Sequence, residues 1–306
     1  MRAPTAIALV VTCLIAPRTW AQVPPFLTAW GTYGTGDAQF LTPVGVAVDA
    51  DDIVYVIDPN LHRVKRFTRT GGFLSQWSVD VPQGIALGPD GNVYVTDHGV
   101  FKFTKSGTLL AEWDTATDPT YPTGIAVDAD GSVYVADEGV LYKFTSSGVL
   151  VKEWGEPGGG PGQFDGLDGV AVDGTGHVYT AENNSCRVQK FSTDGTYITQ
   201  WGIPGSGPGQ LNYPVRLATS PDGQFVYVDD YGNHRIQVFS NTGAYLGQLG
   251  SVGSGPGQFL NPIGVAVDTH GTVFVADTNN SRIQLFGEAA TPIAQATWGE
   301  LKRRYR

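Results

Sequence analysis

One phrase returns six times along this chain, and a β-rich unit repeated at near-constant spacing leaves few folds open. Pro43-Val-Gly-Val-Ala-Val-Asp49 followed by Val54-Tyr-Val-Ile-Asp58 is echoed by Gly84-Ile-Ala-Leu87 with Val93-Tyr-Val-Thr-Asp97, and by Gly124-Ile-Ala-Val-Asp128 with Val133-Tyr-Val-Ala-Asp137. Gly169-Val-Ala-Val-Asp173 with Val178-Tyr-Thr-Ala-Glu182, Arg216-Leu-Ala-Thr219 with Val226-Tyr-Val-Asp-Asp230, and Gly264-Val-Ala-Val-Asp268 with Val273-Phe-Val-Ala-Asp277 complete the set. A unit of roughly 40 to 48 residues built from short β runs is the signature of a propeller or array. The repeats fill the chain from Phe26 to Phe286 and leave no room for a second folded domain in 306 residues.

Within a unit, the Gly-Val-Ala-Val-Asp run predicts a short strand, the following Asp/Gly residues a tight turn, and Val-Tyr-Val-Ala-Asp a second strand. A polar loop such as Thr278-Asn-Asn-Ser281 precedes a third strand, Arg282-Ile-Gln-Leu-Phe286, and a Gly turn such as Thr193-Asp-Gly195 precedes a fourth, Tyr197-Ile-Thr-Gln-Trp201. Four antiparallel strands make one propeller blade, so the fold class is all-β, a six-bladed propeller. The small first strand suits the crowded axis. Trp30, Trp77, Trp113, Trp154, Trp201 and Leu249 close the fourth strands as inter-blade packing residues. The sixth copy stops at Phe286-Gly287 without its fourth strand, while Phe26-Leu-Thr-Ala-Trp30 precedes the first copy. The N-terminal strand is therefore predicted to complete the last blade and pair its open edge.

The flanks read differently. Arg2, the apolar run Ala6–Ala16 and Thr19-Trp-Ala21 fit a secretory signal at 1–21 with cleavage after Ala21. That run is shorter than the ~20 residues a membrane span requires, so no stable span is expected. The reading places the mature chain in a secreted or periplasmic setting, with the propeller at 26–287 and a tail at 288–306. In the tail, Thr297 and Glu300 form a capping box, and Trp298, Leu301 and Tyr305 share one face of a short basic amphipathic helix. Loss of the leader removes Arg2 and Arg18 from a chain already at formal charge −10, and an acidic surface disfavours a nucleic-acid partner. It would leave Cys186 as the only cysteine, so no intrachain disulfide is available; separately, a monomer is expected.

Three of the polar loops are Glu182-Asn-Asn-Ser-Cys-Arg187-Val-Gln, Asp230-Tyr-Gly-Asn-His-Arg235-Ile-Gln and Asp277-Thr-Asn-Asn-Ser-Arg282-Ile-Gln. Together with Trp-Gly-x-x-Gly-x-Gly-x-Gly-Gln-Phe ahead of the next strand, they closely resemble NHL repeats. The resemblance implies a six-bladed β-propeller and no single activity, since the family spans protein- and RNA-binding platforms, sensors and a few lyases. The lyases use several histidines at the channel mouth, a pattern absent here. His62 and His234 share a loop position, His177 and His270 fall in tight turns, and only His98 is near the expected site.

The shared Asp-x-x-Asn-x-Arg residues read as architecture, with Asp and Asn holding loop backbone and Arg pairing with a carboxylate. Positions where the copies disagree carry more functional information. Blades two and three shorten the loop to Asp97-His98-Gly-Val100 and Asp137-Glu138-Gly-Val140. Their leading segments, Ser78-Val-Asp-Val81 and Asp114-Thr-Ala-Thr-Asp-Pro119, lack the Gly-Pro-Gly-Gln insert. A low side beside four tall blades makes a notch on the rim that carries the long loops, near His98, Asp114, Tyr121 and Glu138. Arg216 replaces the first-strand Gly and Asp168 ends an unusual Asp165-Gly-Leu-Asp168 segment. Arg216 is expected either to meet Glu182 or Asp230 across the channel mouth or to fill the axis as a salt bridge.

These eight residues are candidate binding residues; none is assigned as catalytic or as a metal ligand. The favoured function is an exported binding scaffold for a protein, peptide or glycan, needing no cofactor. The alternative is a propeller lyase or lactone hydrolase with calcium or zinc held near Glu182, Asp230, Asp168 and Arg216.

Overall fold

The computed structural model of the chain describes residues 23–115, 121–137 and 139–288. The expected leader, most of the tail and Glu138 lie outside the described residues. Six four-stranded antiparallel sheets are arranged as the blades of a propeller. Blade one comprises Gly45–Val48, Ile53–Asp58, Arg63–Thr68 and Phe73–Ser78, and blades two to five repeat this order from Gly84, Ile125, Leu167 and Leu217 onward. Among the described residues no helix is long and apolar enough to cross a membrane.

The inner strands converge on the axis, and their glycines explain how closely. A Cβ placed on Gly169 would lie 2.5 Å from the Val215 carbonyl oxygen, and one on Gly264 would lie 2.9 Å from the Cα of Gly45. Backbone meets backbone there, and only a residue without a side chain permits it. The second strands are buried except for the first residue of three of them, with Tyr55, Tyr94, Tyr134, Tyr179 and Tyr227 among the largest fully buried side chains.

Farther out, each Trp on a fourth strand packs under the third hairpin of the next blade. The rings of Trp30, Trp77, Trp113, Trp154 and Trp201 lie beneath Gly71, Gly107, Gly148, Gly195 and Gly243, which hold φ between +84° and +90°. The turn needs the left-handed conformation and the ring occupies the space of a Cβ. Gly195→Ala is therefore expected to lower stability by about 2–3 kcal/mol through backbone strain and overpacking against Trp154. Chemical denaturation compared with Ser192→Ala, on the same hairpin, measures it, and equal midpoints would refute this account of the glycine.

Leu249 is the exception among these residues, and ring closure accounts for it. Blade six consists of Gly264–Val267, Val273–Asp277, Arg282–Phe286 and, from the N-terminus, Phe26–Trp30. Its last two strands belong to opposite ends of the chain, so no glycine hairpin joins them. Val23 and Phe26 pack there with the buried Leu249 instead. Pairing runs from Phe26 opposite Phe286 to Trp30 opposite Ile283, and Gly287 donates its N–H to the Pro25 carbonyl at 2.9 Å. Between the neighbouring blades one and six, Arg69 of blade one reaches Asp268 and Thr272 of blade six, and Thr278 Oγ1 donates to the Pro43 carbonyl at 2.8 Å.

Candidate functional site

The two rims differ as the repeat predicts. Four leading loops rise on one rim, and in each a glutamine folds the turn. Gln39, Gln163, Gln210 and Gln258 accept from the N–H groups of Gly36, Gly160, Gly207 and Gly255 at 2.8–3.0 Å. In blade four, Arg187 pins the loop from below. It donates to both oxygens of the fully buried Glu182 at 2.9 Å, and to the carbonyls of Gly159 and Gln163 at 2.6 and 2.8 Å. Arg235 and Arg282 repeat the arrangement on Asp230 and Asp277. In blade one the buried Lys65, at the strand position that Gln189 holds in blade four, props the loop, donating to the Gly36 and Gln39 carbonyls at 2.8 and 2.6 Å.

Where blade three, with its short loop, meets the tall loop of blade four, a notch of about 490 Å³ opens. Tyr121, Thr123 and Gly139 face it from blade three. Pro157 to Gly159, Phe164 to Asp168 and Asn183 face it from blade four. Its volume is that of a small-ligand site. Tyr121 stands 63% exposed at the lip. Asp168 is largely buried at the floor, where Asn183 Nδ2 donates to Oδ2 and Arg216 lies 3.8 Å from Oδ1. Burial pushes its carboxyl above the ordinary range, against the opposing pull of Arg216 and Asn183.

Asp168 also connects the notch to the axis. Arg216 reaches from blade five across the channel and donates to the Asp168 carbonyl at 2.9 Å, Gln83 at 3.1 Å, and Thr123 and Val215 at 3.3 Å. These carbonyls come from blades two to five. Beneath the guanidinium only about 50 Å³ remains, lined by inner strands of all six blades. A second acid supports the plug: the fully buried Asp229 accepts from the N–H groups of Val215 and Arg216 at 2.6 and 2.8 Å. Burial holds Asp229 well above the usual carboxylate range.

A family model described as NHL repeat matches residues 120–140, 164–191, 211–239 and 259–286. The chain carries NHL repeats at four positions of a six-bladed propeller. No curated protein matches it. Among solved structures it is similar to virginiamycin B lyase from Staphylococcus aureus, with 14% identity, TM-score 0.62, and 86% of this chain and 99% of that chain covered. It is likewise similar to a gluconolactonase from Xanthomonas campestris, with 15% identity, TM-score 0.63, and 86% and 96% covered. A Bacteroides thetaiotaomicron protein of unknown function gives 16% identity, TM-score 0.68, and 84% and 74% covered. At these identities the likeness is one of fold.

The NHL-repeat signature residues turn inward, which corrects part of the expected site. Glu182 and Asp230 do not meet Arg216. Besides Arg187, Glu182 accepts from Gln189 at 2.7 Å and from the Asp165 N–H at 3.0 Å. Asp230 accepts from Arg235, Gln237, Asn233 and the Asn212 N–H at 2.7–2.9 Å. Both carboxylates are saturated because a buried charge must be paired, and the loop above supplies the partners. Of the other candidates, Tyr121 and Asp168 share the notch, and Arg216 adjoins it through Asp168. His98, which packs edge-on against Phe101, and the exposed Asp114, beside Gly99, belong to blade two and do not line it. Asn183 was hidden within the repeat loop. Asp229 left a trace, since it stands where Ala136, Ala181 and Ala276 stand in other blades.

Proposed function

We propose that the chain is a binding scaffold that takes a protein, peptide or glycan at the notch between blades three and four, and that it works outside the cytoplasm after losing its leader. The observation that carries the reading is a 490 Å³ recess whose wall is fixed before any ligand arrives. Arg187 holds that wall through Glu182, Gly159 and Gln163, so little ordering remains to be done on binding. The neighbouring axis offers no comparable opening, being filled by Arg216, and two of the acids expected to serve a channel-mouth enzyme, Glu182 and Asp230, are committed to loop support.

Gly159 provides the test. A Cβ there would meet nothing within 4 Å, so a large side chain fills the mouth without disturbing the fold. Gly159→Phe is expected to keep the wild-type Tm and to lose retention of peptides or oligosaccharides that the immobilised wild-type chain holds. Retention unchanged by this substitution would move the site elsewhere.

A further inference from the structure

We propose that the notch receives a lysine or arginine side chain of a polypeptide, with Asp168 as its counter-charge and the Tyr121 ring as its platform. The inference rests on the scaffold reading and names the ligand class. Among the described residues, every charged residue lining the notch is an acid, Asp165 or Asp168. The cations of blades three and four are engaged elsewhere. Lys143, Lys152 and Lys190 reach the carbonyls of Thr193, Asp194 and Asn241 in hairpins of the opposite rim. Arg187 is buried beneath the wall, and Arg216 is turned to the axial carbonyls. The mouth therefore presents negative charge with no competing basic side chain from these two blades, on a chain whose net charge is −10.

The floor and lip suit a cation in particular. Asp168 Oδ1 lies 3.8 Å from the Arg216 guanidinium, beyond hydrogen-bonding distance, so it retains capacity to accept from a ligand. A cation above the exposed face of Tyr121 gains from the ring quadrupole, and the exposed Pro157 and Gly159 can lie along an aliphatic stem. A neutral sugar would also stack on Tyr121, yet it gains nothing from an all-acidic charge set. An acidic or phosphorylated segment would be repelled.

Calorimetric titration of the full chain with tri-lysine amide, fully acetylated tri-lysine amide and chitotriose tests this. Tri-lysine amide is expected to bind at a single site, about tenfold more weakly to Asp168→Asn and several-fold more weakly to the exposed-site variant Asp165→Asn. Binding should vanish in Gly159→Phe and be unchanged by Asp194→Asn on the opposite rim. The acetylated peptide should not bind. If Asp168→Asn does not fold, Asp165→Asn carries the charge test. Equal weakening by Asp194→Asn, no loss in either notch acid variant, or no binding of tri-lysine amide overturns the proposal. Chitotriose lost on Gly159→Phe while tri-lysine amide is indifferent overturns it too, but leaves the scaffold reading standing.

Discussion

Trp30→Ala is expected to lower Tm by roughly 10 °C and to expose the edge of blade six. The ring centroid lies 4.8 Å from Phe67 and 6.1 Å from Phe40, beneath Gly71, so truncation leaves a cavity between blades six and one. A large aromatic deletion of this kind costs about 3–5 kcal/mol, and a domain of this size loses a few degrees of Tm per kcal/mol. Trp113 is the informative comparison. Its strand, Leu109–Trp113, follows its partner strand through a covalent hairpin, whereas Phe26–Trp30 is held to Arg282–Phe286 by pairing and side chains alone.

Both substitutions should therefore lower Tm, but only Trp30→Ala should let a whole strand peel away. Amide exchange separates them. Protection of Ile283 and Leu285 is expected to fall in Trp30→Ala and to hold in Trp113→Ala, because an edge strand that loses its neighbour opens first. Equal protection in the two variants would show that the N-terminal strand is not what closes the ring.

The contrast between Trp30 and Leu249 also marks what a repeat sequence reveals and what it conceals. Blade number, strand order and closure are legible because they depend on residues recurring in phase: glycine at the axis, Trp at the edge, Arg beneath the loop. The notch was legible in outline, since two blades lack the Gly-Pro-Gly-Gln insert. Its floor was not. Asp168, on the first strand of blade four, meets Asn183, in the loop after the second strand, fifteen positions away, and periodicity says nothing about that contact. Glu182 and Asp230 misled for the opposite reason: a carboxylate at a loop reads the same whether it faces solvent or an arginine of its own blade. Asp229 was missed although its signal was present, an acid at a buried strand position that alanine occupies in three other blades.

That departure leads to the second large expected effect. Arg216, immediately before the first strand of blade five, and Asp229, on the second, are non-repeat residues, and the second supports the first through the backbone N–H of Arg216. Arg216→Ala should cost about 3–5 kcal/mol, because it strips the counter-charge from Asp168 and Asp229 while leaving both carboxyls in place. The pH dependence has a definite sign. Both acids are held above their ordinary range, so the folded chain favours their protonated forms, and that contribution is present in acid and lost as pH rises through the folded-state values. Arg216 opposes the shift at both sites. Without it the upward shift grows, and the deficit relative to wild type should be largest near neutral pH and shrink toward pH 4. The double variant Arg216→Gly with Asp229→Ala restores the pattern of the other blades and should recover part of the loss, since of the two acids only Asp168, which keeps its Asn183 partner, is left without the guanidinium. Urea titrations of wild type, Arg216→Ala, Arg216→Gly, Asp229→Ala and the double variant at two pH values decide the matter. Additive losses with no pH dependence would show that Arg216 fills space at the axis and that its charge is incidental.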